Sequence, residues 1–329
     1  MTTLVTGGTG FVGGAIVREL LRQGEHVRVL ARRPSAATGL AESGVEVVQG
    51  DIMDQASVES ALNGCDTLYH AAAVFDFWIP DKRVMAATTD GARNVLEAAI
   101  RAGTPRIIYT GAASTIGERK GEVGDETTAH RGYSMTTYER AEVAAERLVR
   151  GYVDQGLPVI SVLPASVYGP GNFKPVGRGI INLINGRVPA KFNGVVSYVY
   201  LDDVGRGHVL AGQRGKIGER YILSGSNVTM AEWFEAICRL TGIRVPPTIP
   251  IMAARAYAEC GELVARVTKR PPTLPRDLLT ICAHGFQVDG SKAEREIGMT
   301  YTPLEEGLRA TIQWYWEHGH LKRRPACVA

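Results

Sequence analysis

Short apolar runs alternate with longer stretches of helical spacing along the first half of the chain, and that alternation is the first organising signal. Residues 2–6 form an apolar run, after which Gly7, Gly8, Gly10, Gly13 and Gly14 lead into a helical pattern reaching about Arg22. The predicted order is strand, tight turn, helix. His26 to Leu30 and Val45 to Gln49 read as the next two strands, Ser57 to Leu62 as a helix, and Thr67 to Ala71 as a fourth strand. A helix from about Thr89 to Ala102, a strand at Ile107 to Thr110, a helix from about Thr137 to Gln155 and a strand at Val159 to Leu163 complete the series. Strands separated by helical stretches of this length imply right-handed crossovers, and hence a doubly wound parallel α/β sheet with helices on both faces.

The texture changes after Pro164. Pro170, Gly171, Pro175, Gly177 and Gly179 crowd one loop, and Pro246, Pro247, Pro250, Pro271, Pro272 and Pro275 punctuate what read as short helices. Pro303 to His318 reads as one amphipathic helix with Leu308, Ile312 and Tyr315 on a single face. A regular sheet unit of residues 1–165, rejoined by 197–223, is therefore expected beside a smaller, mostly helical part made of 166–196 and 224–329.

At 329 residues the chain has room for about two domains. Its 45% hydrophobic and 22% charged residues lie in the ordinary globular range, which excludes a disordered or fibrous chain. The formal charge of +3 gives no electrostatic reason to expect a nucleic acid or a membrane surface as partner. Five cysteines, Cys65, Cys238, Cys260, Cys282 and Cys327, are widely spaced and show no metal-ligand pattern, so reduced thiols and no metal site are expected. No secretory segment follows Met1, and no apolar run is long enough to span a bilayer, so a cytoplasmic location is the expectation.

Candidate chemistry begins at Thr6 to Gly13, where the first strand meets the first helix. Glycines at 7, 10 and 13 suit a sharp turn, a close approach by a pyrophosphate and close helix packing, while the helix N-terminus presents free N–H groups to phosphates. Gly7, Thr9, Gly10, Phe11, Val12 and Gly13 are therefore assigned to dinucleotide binding. The second strand ends in Ala31-Arg32-Arg33 without the acid that commonly meets the ribose hydroxyls of NAD. Two guanidiniums at that place favour NADP(H) over NAD(H), because Arg32 and Arg33 could clamp a 2′-phosphate. Asp51 and Ile52 are expected at the adenine, and Ala71, Ala72 and Ala73 beneath the ribose.

Taken together, Thr6 to Gly13, His70-Ala71-Ala72, Gly91 to Asn94, Tyr138 at the head of a helix, Pro164 with Val167 to Pro170, and Tyr200 to Val204 resemble the extended short-chain dehydrogenase/reductase superfamily. Within it the chain is similar to the epimerase/dehydratase and dihydroflavonol-reductase branches and to the hopanoid-associated sugar epimerase group, through Lys174-Pro175, Gly218 to Leu223 and Ser291 to Gly298. The resemblance implies a Rossmann-type sheet, a nicotinamide cofactor also touched by Pro164 and Val167, a small-molecule substrate, and a homodimer formed through the helices near 89–102 and 137–155. It also implies a catalytic tyrosine, a lysine four residues later, and a serine after the fifth strand.

This chain keeps Tyr138 but carries Glu142 in the place of the lysine and Ala112 in the place of the serine. A carboxylate one helical turn away disfavours the phenolate, so Tyr138 is expected to act as a neutral donor and not as a base. Glu142 could accept from ribose hydroxyls, point to solvent or pair with Arg140. Ser114 could replace the lost hydroxyl or cap its loop, and His130 could assist as acid or base or lie solvated at the surface. Phe75, Phe77, Trp78, Tyr133, Tyr168 and Phe173 are expected to wall a pocket for a ring-bearing substrate. The leading expectation is an NADP(H)-dependent reductase of an activated carbonyl, enone or iminium. A sugar or polycyclic-alcohol epimerase or dehydrogenase, and a cofactor-binding lyase, cyclase or sensor without redox chemistry, are the alternatives.

Overall fold

The computed structural model describes residues 2–73, 84–268 and 272–328. Strands β1 (Thr2–Thr6), β2 (His26–Ala31), β3 (Glu46–Gln49), β4 (Thr67–His70), β5 (Ile107–Thr110) and β6 (Val159–Pro164) alternate with helices α1 (Phe11–Arg22), α2 (Thr38–Glu42), α3 (Gln55–Leu62), α4 (Gly91–Ala102) and α5 (Thr137–Asp154). Then follow β7 (Ser166–Tyr168), α6 (Pro175–Ile184), β8 (Val195–Tyr200), α7 (Leu201–Arg214), β9 (Arg220–Leu223) and β10 (Ser226–Thr229). The chain closes with α8 (Met230–Thr241), α9 (Ile251–Thr268), α10 (Arg276–His284), α11 (Ser291–Ile297) and α12 (Leu304–Glu317).

The larger sheet has seven parallel strands in the order β3-β2-β1-β4-β5-β6-β9. Successive side chains on a strand point to opposite faces, and the sequence uses that period to build two cores. Leu4, Leu30, Leu68 and Ile107 pack with Val58, Leu62, Val95 and Leu96 of α3 and α4. Their neighbours Val5, Val29, Tyr69 and Ile108 pack with Ile16, Val17, Val204 and Val209 of α1 and α7. A sheet buried on both faces needs the nearly continuous apolar strands seen here. Each fully buried Leu, Ile or Val contributes about 1.5–3 kcal/mol relative to exposure.

The strand order reverses direction between β1 and β4, which opens a crevice at their carboxyl ends. The Thr6 hydroxyl and His70 Nδ1, the last residues of those strands, lie 2.7 Å apart in the interior and pin the crevice floor. Burial holds the His70 pKa down at about 4, so the ring is neutral at physiological pH.

A smaller sheet, β10-β8-β7, is interleaved in sequence with β9, the last strand of the larger one, and helices α8 to α12 follow. Its β7 and β10 strands carry no clear apolar run and were not anticipated. Pro175 opens α6, and Pro250 directly precedes α9, one long helix where short helices were expected. Helix α12 buries Leu308, Ile312 and Tyr315 completely, as its spacing predicted.

Candidate active site

The turn from β1 into α1 is built for close approach. Gly7 adopts φ 75°, and a Cβ there would lie 2.7 Å from the Ala71 backbone. A Cβ on Gly13 would stand 2.1 Å from the Gly7 carbonyl oxygen, so the helix can meet the turn only through glycine. Helix α1 has no capping side chain and no acid in its first turn. Its first N–H groups, which cannot bond within the helix, are thus left for an anion at the positive end of the dipole.

A cleft of about 580 Å³ runs from this turn. Gly7, Thr9, Gly10, Phe11, Val12, Gly13, Arg32, Asp51, Ile52, Ala71, Ala72, Ala73, Pro164 and Val167 all border it. Arg33 is exposed and not among the lining residues. The Asp51 carboxylate accepts from the Met53 N–H at 3.0 Å, and Asn94 holds the Ile52 carbonyl oxygen at 3.0 Å, which sets the loop after β3 against α4.

Farther along the cleft, Thr136 caps α5 by accepting from the Glu139 N–H at 3.1 Å. That start places Tyr138 in the first turn and Glu142 one turn on, on the same helix face. The Tyr138 hydroxyl and the Glu142 carboxyl are hydrogen-bonded, and both residues line the cleft. Glu142 is 2% exposed, so it neither reaches solvent nor pairs outward with Arg140. Burial, followed by the nearby charge of Glu146, pushes its pKa up to about 8. Burial and then Glu142 hold the Tyr138 phenol well above its usual range. At neutral pH both groups therefore carry their protons. The Arg220 guanidinium donates to the Glu146 carboxyl at 2.6 Å and holds it away from the Tyr138–Glu142 pair.

Ala112 borders the cleft where a serine would offer a hydroxyl. The Ser114 Oγ has no hydrogen-bond partner among the described residues and lies on the cleft wall, while the Thr115 hydroxyl is spent on the Ala112 carbonyl at 2.8 Å. The Thr115 hydroxyl thus serves its own loop, whereas that of Ser114 makes no such bond.

His130 is half-buried and does not border the cleft. Its ring packs beneath Gly117, where a Cβ would meet it at 2.1 Å, and its Nδ1 accepts from the Gly132 N–H at 3.0 Å. Burial and the neighbouring Arg131 charge lower its pKa, so it braces the loop as a neutral ring. Of the expected pocket aromatics, Tyr133 is exposed beneath the Arg131 guanidinium, and Phe173 packs outward against Trp314 and His320. Tyr168 is a core residue enclosed by Tyr198, Tyr200 and Trp233. None of the three rings borders the cleft: Tyr133 meets a guanidinium at the surface, and Phe173 and Tyr168 pack on other rings that the local sequence does not reveal. Phe75, Phe77 and Trp78 lie outside the described residues.

The wall that does form comes from distant segments. Val176, Val196, Tyr198, Leu278, Ile281 and Phe286 give it an apolar surface. Tyr198 is held flat by Trp233, with ring centroids 3.9 Å apart. Glu118, Arg131 and Glu139 also border the cleft. Arg131 is committed to a close ion pair with Glu139, both side chains being almost fully buried. Burial raises the Glu118 pKa to about 7. No short motif marks these residues in the sequence, since they converge only through the fold.

A glycine turn with a free helix N-terminus at the switch point of a parallel sheet defines a dinucleotide-binding α/β protein of the extended short-chain dehydrogenase/reductase type. The chain belongs to the NAD dependent epimerase/dehydratase family, whose profile matches residues 3–224. It is 32% identical to a Synechocystis sp. protein whose name refers it to dihydroflavonol 4-reductase, over 97% of this chain and 95% of that one. It is likewise 32% identical to sterol demethylase protein B of Methylococcus capsulatus, over 97% and 99% of the two chains. A solved nucleoside-diphosphate-sugar epimerase from Pseudomonas aeruginosa superposes with a TM-score of 0.82 at 28% identity, covering 98% of this chain and 99% of that one. The family uses a nicotinamide cofactor, and the turn at Gly7 and Gly13 fits one, since a Cβ at either glycine would fill the cradle.

Proposed function

We propose that this protein is an NADP(H)-dependent reductase acting on an activated carbonyl, conjugated enone or iminium of an apolar, ring-bearing metabolite. The observation that carries the reading is the hydrogen bond between Tyr138 and a buried, protonated Glu142 in the cofactor cleft. A phenol made basic by a lysine can take a proton from an alcohol. A phenol backed by a neutral acid can give one. The altered pair thus favours reduction over oxidation.

Held at Gly7, Gly10 and Gly13, a nicotinamide cofactor would supply hydride to the electrophilic carbon. For a carbonyl substrate, Tyr138 donates its proton to the oxygen as the charge develops there, and Glu142 passes its own proton to Tyr138. No free phenolate forms, and Glu142 regains its proton from water that enters the cleft once the product has left. An acid with a pKa near the working pH is well matched to such a relay. The Ser114 hydroxyl is placed to orient the substrate oxygen. Burial of the substrate against the apolar wall excludes water and strengthens both hydrogen bonds.

The substrate class rests on the wall. A sugar nucleotide carries two phosphate charges, but Arg131 is already neutralised by Glu139, and Glu118, Glu139 and Glu142 present carboxyl groups. Valine, leucine, isoleucine and phenylalanine suit fused or aromatic rings. Arg32 at the cleft supports the choice of NADP(H).

The test is NADPH consumption with cyclic ketones and enones against sugar nucleotides. Turnover of the former only is expected. Cofactor binding with no consumption under any of these conditions would support a non-redox role instead. The division at residue 165, a homodimer through α4 and α5, and a cytoplasmic location remain part of this reading.

A further inference from the structure

Helix α9 carries an apolar face with no protein against it among the described residues. Its inner side is narrow, with Ala254, Ala258 and Ala265 buried. Met252, Ala256, Tyr257, Leu263, Val264 and Val267 are all exposed, Val267 at 83% and Met252 at 66%. At 100° per residue these six positions sweep an arc of about 140°, separate from the buried alanines. Isolated exposed apolar residues are ordinary, but a continuous stripe of this width along one helix marks an interaction surface.

The charges of the helix run along one edge of that stripe. Glu259 and Glu262, the acids of the helix, are both engaged by Arg276 of α10, at 3.1 and 3.9 Å. Arg255 and Arg266 stand on the polar side of the helix, and Lys269 and Arg270 follow its end in the sequence. An apolar stripe flanked on one side by two arginines, with the acids between them paired to Arg276, matches the boundary between anionic headgroups and acyl chains, where such helices lie in the plane of the surface. No helix among the described residues is long and apolar enough to cross a bilayer, so contact would be with one leaflet. Helix α10 packs on α9 and places Leu278 and Ile281 on the cleft wall, so the stripe and the apolar cleft are one helix apart.

We propose that the exposed face of α9 docks the protein on the surface of an anionic lipid bilayer, with Leu263, Val264 and Val267 inserted and Arg255 and Arg266 among the headgroups. Such a surface would hold the cleft close to a membrane-dissolved ring-bearing compound. That link rests on the proposed function; the docking itself does not.

Sedimentation with phosphatidylcholine vesicles, with and without phosphatidylglycerol, tests it on the full chain without substrate. The wild type is expected to bind the phosphatidylglycerol vesicles more tightly, and added salt to weaken that binding. Leu263→Glu with Val267→Glu should reduce binding at least tenfold, and removal of Arg255 or Arg266 by roughly fivefold each. Both positions are exposed, and unchanged NADPH affinity would confirm that the variants fold. Cys260, the exposed cysteine of the helix, offers a site for an environment-sensitive dye whose emission should shift to the blue on vesicles. The proposal is overturned if the wild type stays in the supernatant with both vesicle types, or if the double-Glu variant binds as well as the wild type. It is equally overturned if vesicles do not bind and the double-Glu variant instead converts a wild-type dimer to monomer, since a second copy would then cover the stripe. Failure to reduce cyclic ketones would remove the proposed function while leaving these binding results intact.

Discussion

Tyr138 and Glu142 sit one turn apart at the start of α5 and share a hydrogen bond inside the cleft. Glu142 lies where a cation would lower the phenol pKa, and it is instead a buried acid that keeps its proton to about pH 8. The pair can donate but cannot readily accept. Most of the expectations below follow from that polarity.

Replacing Tyr138 with Phe removes the donor without removing the ring. The turnover number for a ketone should fall by roughly 10²- to 10⁴-fold, the usual range for a lost general acid. NADPH affinity should be unchanged in a fluorescence titration. Unaltered turnover would exclude Tyr138 from proton transfer.

The rate of reduction should be flat below neutrality and decline as pH rises through about 8, when Glu142 becomes a carboxylate and draws the Tyr138 proton towards itself. Glu142→Gln keeps a neutral hydrogen-bonding group and should abolish that decline, at the cost of a lower plateau. A wild-type profile flat to pH 10 would argue against this role.

Stability carries the same signature. A folded-state pKa raised above the unfolded one favours the native state at low pH, and that contribution is lost as pH climbs from the ordinary carboxyl range to about 8. The loss from one group is at most about 1.4 kcal/mol per pH unit. Because Glu118 also has a raised pKa, the comparison must be between wild type and Glu142→Gln. Denaturant unfolding at pH 6 and pH 9 should show a smaller drop for the variant.

Gly13→Ala should uncouple the cofactor from the fold. A methyl group 2.1 Å from the Gly7 carbonyl must push α1 away from the turn. NADPH affinity should fall by at least 100-fold in a soluble variant, whereas the buried Ala15 and Ile16 should keep the later turns of α1 packed on the sheet.

Arg32→Ala tests cofactor choice. Loss of one charge-assisted hydrogen bond to a 2′-phosphate should weaken NADPH by roughly tenfold or more while leaving NADH almost unaffected. Equal losses for both cofactors would place Arg32 on the pyrophosphate or outside the contact altogether.

The sheet was legible in the sequence because each strand is bounded by glycine or proline and each helix repeats at its own period. Leu4 and Val5, adjacent in one apolar run, go to opposite cores, which is how a doubly covered strand reads. The glycine turn was legible for the same local reason. The pocket wall was not. Val196 comes from β8 and Leu278, Ile281 and Phe286 from α10 and the residues just after it, two segments far apart in sequence, and aromatic residues near the fourth and seventh strands looked better placed. Tyr168 shows why, since its neighbours Tyr198, Tyr200 and Trp233 complete a core cluster that no local pattern announces. His130 failed similarly, because its packing beneath Gly117 depends on a left-handed turn at that glycine.

The protonation state of Glu142 tests the account most directly. Infrared difference spectra of the NADPH-bound enzyme, wild type minus Glu142→Gln, should show the C=O stretch of a protonated carboxyl at pH 7 that disappears with a midpoint near pH 8. A carboxylate band at Glu142 already present at pH 6 would contradict the proton-donating site.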